Sequence, residues 1–412
     1  MMLNKIKPEV RVFIFSCGNY IVAGMMATLT SALMAYFSAD TNMTAGMQGL
    51  FLSMGGLMTA VVASLPGRVV DRFGAKRTLY VIAVGLIASL ALFSTARTGI
   101  ECMIWFSLYS LVTAASVPCS TQALKVYHVK DPAKLRRINL VGNMVAGLIA
   151  SSTAAAMIEK SGLTWRQTFL VFAGAGAVVL LIGFVFLFSL KYDYSEVVAS
   201  GQDEDLAAKK AAEKNYRYTP AERNACIALC LLYIGYMGVG IALGNWMPAY
   251  LQGRGFTGGE VSLPNTVGKF VQLAAYLLLP TIASKLLKTV KATPVACALL
   301  IVAIFGILLP MNLPVISIAR GLLAVIIGFL SMHVQSDCAL VSPKQASGRF
   351  SSTVLASANA GCVVAVSLMG YLPSVTAKLI MFVVFACLGI LGSVLLIKPY
   401  KEISALKVTA GE

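Results

Sequence analysis

Charge is what this sequence has least of. Asp, Glu, Lys and Arg make up 12% of its 412 residues, about half the share of a soluble domain. So few charges cannot coat a water-soluble body of this length, which excludes a soluble protein with one large core. Histidine is scarcer still. His128 and His333 are the only two, which excludes a histidine-based metal cluster within one chain. The nine cysteines stand singly and form no C-x-x-C; Cys226 and Cys230 are four apart, as on one helix face. They read as small apolar packing residues and suggest neither a disulfide framework nor a metal site. No nucleophile–base pair stands out, so neither an enzyme nor a cofactor is expected. The first apolar run is too long for the h-region of a cleavable signal peptide.

What the chain has is apolar length. Hydrophobic residues are 58% of it, and the mean hydropathy is +0.81. Twelve apolar segments run over 11–37, 45–66, 78–96, 101–124, 138–159, 166–190, 224–250, 261–284, 292–311, 314–341, 350–371 and 376–397. Each approaches the ~20 residues that cross a bilayer. Backbone polar groups must be satisfied internally in lipid, and the alternation of a barrel strand is absent, so the segments are expected to be helices. The fold class is all-α, a membrane protein of twelve transmembrane helices.

The net charge of +16 does not imply a nucleic-acid partner, because the basic residues sit in short loops between apolar runs and form no basic face. With both termini inside, 26 of the 33 Lys and Arg residues fall on the cytoplasmic side. Five fall outside (Arg97, Lys160, Arg166, Arg254 and Lys378), and Lys269 and Arg320 lie within apolar segments. That bias sets the orientation. The one long connection, 191–223, carries Asp203-Glu204-Asp205 and Lys209-Lys210 and divides the segments six and six. The expected organisation is a bundle over 1–190, a cytoplasmic linker over 191–223, and a second bundle over 224–412 ending in a short tail. Thr219-Pro220-Ala221-Glu222 reads as a capping box with proline at the first helical position. Asn42-Met43-Thr44 matches a glycosylation sequon, read as chance in a chain whose short loops suggest a bacterial inner membrane.

Between the second and third segments stands Gly67-Arg68-Val69-Val70-Asp71-Arg72-Phe73-Gly74-Ala75-Lys76-Arg77. A charged loop closed by a glycine able to take positive φ fits a tight turn at a membrane surface. The pattern G-x-x-x-D-R-x-G-x-[KR]-[KR] resembles the loop between helices 2 and 3 of the major facilitator superfamily of transporters. Gly162-Leu163-Thr164-Trp165-Arg166-Gln167-Thr168-Phe169 is similar to the G-W-R-x-x-F pattern before helix 6 of that superfamily. The loop over 284–293 lacks the Asp-Arg pair of its first-half counterpart. The resemblance implies two six-helix bundles related by pseudo-two-fold symmetry, with a central site and alternating access. It implies that Gly67, Asp71, Arg72, Gly74 and Arg77 form a conformational latch, with Asp71 capping a helix of the other bundle. It also implies that helices 1, 4, 7, 8 and 10 border the cavity.

Lys269 is the leading candidate for substrate binding. A charge this far into a membrane helix costs at least ~2.5–3.5 kcal/mol and should face protein, water or ligand. Asn265, Lys269, Gln272 and Tyr276 recur at i, i+4, i+7 and i+11, one polar stripe on an apolar helix. Arg320 is the second cation, facing the cavity or snorkelling to the outer interface. The alternative for Lys269 is a structural partner for an acid, but acids are nearly absent from the apolar segments. His333 and Asp337 form an i, i+4 pair, read as a structural pair or as a proton-coupling site. Uncharged candidates are Asn19 and Tyr20, Tyr109 and Thr113, Asn143, Tyr233, Tyr236 and Asn245, and Asn359. Trp246 and Tyr250 read as an interfacial belt.

Two cations without a central acid favour an anionic cargo. The expected function is secondary transport of a small organic anion, mono- or dicarboxylate-like, with a proton or counter-substrate as partner and the chain a monomer. The alternatives are efflux of drugs or amphipathic metabolites, against which the missing helix-4 arginine motif counts, and a non-transport sensor or lipid-moving protein.

Overall fold

The computed structural model describes residues 8–62, 75–126, 132–188, 216–256, 259–282, 289–343 and 346–409. No strand occurs among them. The helices are α1 Pro8–Ala32, α2 Met34–Asp40, α3 Ala45–Val62, α4 Ala75–Ser94, α5 Gly99–Val126, α6 Pro132–Ser161 and α7 Trp165–Phe188. They continue with α8 Pro220–Gln252, α9 Gly259–Ile282, α10 Ala292–Leu308, α11 Leu313–Val341, α12 Ser347–Tyr371 and α13 Val375–Thr409. Among the described residues, nine helices are long and apolar enough to cross a membrane by length and composition alone. With α2 as a continuation of α1, twelve long helices answer the twelve apolar segments. Large apolar side chains such as Val81, Ile282 and Ile318 stand exposed, a surface made for lipid.

Two helices depart from the expectation. The first segment is not one helix, because the chain breaks at Leu33, between α1 and α2. Just before the break, Thr28 Oγ1 donates to the Gly24 carbonyl at 2.8 Å, Thr30 Oγ1 to Met26 at 3.1 Å and Ser31 Oγ to Thr28 at 3.2 Å. Hydroxyls that bond back to carbonyls one turn earlier compete with the helical ladder and bend it. The last segment runs on: α13 stays helical through 398–409, with Pro399 inside it, where the sequence suggested a tail. The 67–77 loop lies outside the described residues, apart from Arg77 and the helical backbone at Ala75 and Lys76; Arg77 is exposed in the first turn of α4. Most of the 191–223 linker lies outside them too.

The chain divides into two compact units, Met1–Gln202 with Pro248–Ser262, and Asp203–Met247 with Leu263–Glu412. In the first, α1 packs closely on α6, where a Cβ at Gly24 would run into the Asn143 carbonyl. Phe37, Phe51, Phe93, Trp165 and Phe169 make a continuous aromatic core with neighbouring centroids 4.7–6.1 Å apart. The G-W-R pattern forms the corner above it. Gly162 has φ +66. Thr164 and Gln167 cap α7 reciprocally, at 2.9 and 3.2 Å, and Trp165 Nε1 donates to Asp40 at 3.0 Å. Arg166 bonds Asp40 as well and reaches the Ala96 carbonyl at 2.8 Å.

In the second unit, α8 lies against α13 along glycines. A Cβ at Gly235 would strike Gly389, and one at Gly392 would strike Leu232. The capping box at α8 forms as its sequence implies: Thr219 N donates to Glu222 at 2.8 Å and Glu222 N to Thr219 Oγ1 at 3.3 Å. Arg349 straps this entry to α12, donating to the Tyr218 hydroxyl and the Tyr216 carbonyl, both at 3.1 Å.

Candidate substrate site

The polar stripe of α9 has the placement its periodicity implied. Asn265, Lys269, Gln272 and Tyr276 are each partly buried. The strongly exposed side chains of the same helix, Leu263, Phe270, Leu277, Leu278 and Ile282, project to roughly the opposite side at ~100° per residue. The helix thus turns its grease outward and its polar face inward.

Arg320 on α11 meets this stripe. It is 6% exposed, so it does not snorkel to an interface. Its Nε donates to Asn265 Oδ1 at 3.3 Å, and Asn265 Nδ2 donates to the Gly244 carbonyl at 2.9 Å. One asparagine therefore links α8, α9 and α11. Two glycines make room for the guanidinium. A Cβ at Gly268 would lie 2.9 Å from Arg320 Cγ and 3.0 Å from Cζ, and one at Gly244 would lie 3.2 Å from Nη2. Glycine at both positions lets the side chain lie close against both helices without being displaced. Lys269, next to Gly268, stands within electrostatic reach of Arg320. No carboxylate is bonded to either cation among the described residues. Among the described residues, two like charges thus stand together without a counter-ion, an arrangement that is costly away from water.

A second polar layer lies deeper in the unit. Tyr233 and Tyr236 on α8 approach with ring centroids 5.3 Å apart. Ser331 on α11 lies beside the hydroxyls of Tyr236 and Tyr276, and Gln272 beside Tyr276. Tyr236 is fully buried, and its hydroxyl, close to Ser331 and Tyr233, makes no well-formed hydrogen bond among the described residues. Leaving such a group unpaired costs about 1–3 kcal/mol. Tyr236 is among the candidates named from the sequence; Ser331, Gly244 and Gly268 are not. Recurrence at i+4 and i+8 from Tyr236 does mark Gly240 and Gly244 as one face of α8.

The remaining candidates fall elsewhere. Asn359 on α12 spends its amide on its own helix, donating to Leu355 at 3.2 Å. Trp246 is no belt residue: it is buried, with Nε1 donating to the Val366 carbonyl at 3.0 Å. Tyr250, 9% exposed, accepts from Arg254 at 2.8 Å. Tyr250 belongs to the first unit, with Asn19, Tyr20, Tyr109, Thr113 and Asn143. Asn19 is fully buried with neither amide atom bonded among the described residues. Tyr109 donates to the Ala23 carbonyl, and Asn143 to the Tyr20 carbonyl at 2.8 Å. These last two bonds tie α5 and α6 to α1.

His333 and Asp337 do pair, at 2.9 Å and almost wholly buried. His333 Nε2 faces the Thr289 carbonyl at 3.2 Å. A carbonyl can only accept, so Nε2 carries a hydrogen and one proton is shared between Nδ1 and the carboxyl. The pair is neutral as a whole. It lies roughly 20–26 Å along α11 from Arg320.

The family model described as Major Facilitator Superfamily matches residues 17–336. No curated protein sequence matches the chain. Among solved structures, the chain is similar in fold to the nucleoside transporter NupG, with TM-score 0.66 and 13% identity, over 96% of this chain and 100% of that one. A mutant of the same transporter gives TM-score 0.67 and 13% identity, over 95% and 99%.

Proposed function

We propose, for a chain that belongs to the Major Facilitator Superfamily and is therefore a membrane transporter and not an enzyme, that the cargo is a small organic anion. A mono- or dicarboxylate fits, carried by alternating access as symport or exchange. The observation behind this is the pairing of Lys269 and Arg320 with no acid bonded to either among the described residues. An anion entering the site neutralises a charge that nothing else there neutralises, and binding strength follows from that relief. Arg320, held by Asn265 between two glycines, is the fixed contact. Its planar fork suits a carboxylate. Lys269, on a flexible stem, is the adaptable one. The bundles over 1–190 and 224–412, joined by the 191–223 linker, would be the moving parts, with Asp71 and Arg72 in the latch. The surroundings proposed are a bacterial inner membrane, with both termini cytoplasmic and the chain a monomer.

The competing cargo is a nucleoside, as named for the solved relatives. At 13% identity those relatives carry the fold alone, and a neutral nucleoside would leave both cations uncompensated. The deciding experiment is uptake of labelled carboxylates, nucleosides and cationic drugs into proteoliposomes, for the natural chain and Lys269→Ala. Carboxylate uptake that falls at least about tenfold in the variant supports the reading. Carboxylate uptake unchanged by the substitution overturns the site, and uptake of nucleosides or drugs alone overturns the cargo.

A further inference from the structure

The cation pair does not account for the tyrosine layer. Tyr236 is fully buried, and its hydroxyl stands beside Tyr233, Tyr276 and Ser331 without a well-formed hydrogen bond among the described residues. Phenylalanine would fill the same volume without leaving a polar atom unpaired, so packing alone does not explain the oxygen. The layer is also aligned with the cations on all three helices. Tyr276 follows Lys269 by seven residues on the α9 stripe. Ser331 follows Arg320 by eleven on α11, three turns on and on the same face. Tyr236 precedes Gly244 by eight on α8. These offsets separate the two layers by about 10–16 Å of helix rise, shortened by the reach of Lys269, Arg320 and the tyrosines.

From this alignment, resting on the organic-anion reading above, we infer a hydroxyl-binding subsite made by Tyr236, Tyr276, Ser331 and Gln272. The cargo is then a hydroxylated acid of the sugar-acid class, long enough to bring its carboxylate to Lys269 and Arg320 while its far hydroxyls meet the tyrosines. Tyr and Ser hydroxyls both donate and accept, and Gln272 offers one group of each kind. That repertoire matches a run of alcohols and is wasted on an alkyl chain. A short acid such as oxalate would reach the cations only.

The test is calorimetric binding to the purified full chain, with D-gluconate, hexanoate of the same chain length, oxalate, D-glucose and uridine as probes. The natural chain should bind gluconate at least about tenfold more tightly than hexanoate, since buried hydroxyl partners reject an analogue that lacks the hydroxyls. Tyr236→Phe should abolish that margin and leave hexanoate binding unchanged. Should Tyr236→Phe fail to fold, Tyr276→Phe and Ser331→Ala give the same readout. Lys269→Gln should weaken gluconate and hexanoate alike. Equal binding of the two acids, oxalate binding as tight as gluconate, or a margin that survives these substitutions would overturn the subsite while leaving the anion reading in place. Binding of glucose or uridine with no acid bound would overturn both.

Discussion

Helix α11 carries two buried polar arrangements that answer the same problem in opposite ways. Near its start, Arg320 is enclosed by α8 and α9 with Lys269 close by and no acid among the described residues to balance them. Further along, His333 has Asp337 one turn away and the Thr289 carbonyl on its other nitrogen. The second arrangement is complete within the chain: every hydrogen bond on the imidazole is made, and the net charge is nil. The first is hydrogen-bonded but not neutral. A buried group that is satisfied internally holds a structure together, and one left short of its counter-charge holds a place for something else.

The sharpest way to break this contrast is Asp337→Ala. Removing one partner of a buried pair leaves the other uncompensated and should destabilise the protein by about 3–5 kcal/mol. Thermal unfolding of the purified chain would show it, and a loss under about 1 kcal/mol would mean the pair is not structural. Lys269→Met should move stability the other way, because an uncompensated charge at that depth costs at least ~2.5 kcal/mol. A higher midpoint together with lost carboxylate uptake is the expected outcome, and a clear drop in midpoint would point to a counter-charge. Gly268→Ala sharpens the comparison without changing charge. The new methyl would press on Arg320 Cγ and Cζ, and the flexible side chain should yield at a cost near 1 kcal/mol. Carboxylate affinity should still fall several-fold, and unchanged affinity would show that the position of Arg320 is unimportant.

The smallest effect is expected outside the membrane helices, at the corner where Asp40 receives Arg166 and Trp165. Those hydrogen bonds, the Arg166 one foremost, hold the Asp40 carboxyl below its ordinary 3.8. A carboxyl whose folded value is depressed adds stability that is fully present above its unfolded value and is lost as pH falls through the folded one. The pair is half-exposed, so its worth is at most about 1 kcal/mol. Asp40→Asn should remove that small acid-side dependence below pH 4 and lower stability at neutral pH by no more than about 1 kcal/mol. A loss of several kcal/mol at pH 7 would contradict the assignment.

Much of this was legible in the residues. Lipid forces long apolar runs into helices, so their number and order follow from composition and spacing. The Thr219–Glu222 cap and the α9 stripe are local patterns, and both form as written. What escaped was contact between distant segments. Nothing near Arg320 indicates that Gly244 and Gly268 make its slot, because single glycines in membrane helices are common. Asp40 and Arg166 are 126 residues apart. Trp246 read as an interfacial belt because it stands near a helix end, yet α12 covers it. The kink after α1 hid in hydroxyls that hydropathy counts as nearly neutral.

The glycine line between α8 and α13 bears on how this protein would respond to exhaustive mutagenesis. At Gly235 and Gly392 any side chain collides with backbone, and backbone cannot step aside as the end of a lysine or arginine can. A scan scored by growth would mark these positions as intolerant as Lys269. Only a measure of protein abundance beside the growth score would separate the weld from the binding site: loss of both at Gly235, loss of growth alone at Lys269.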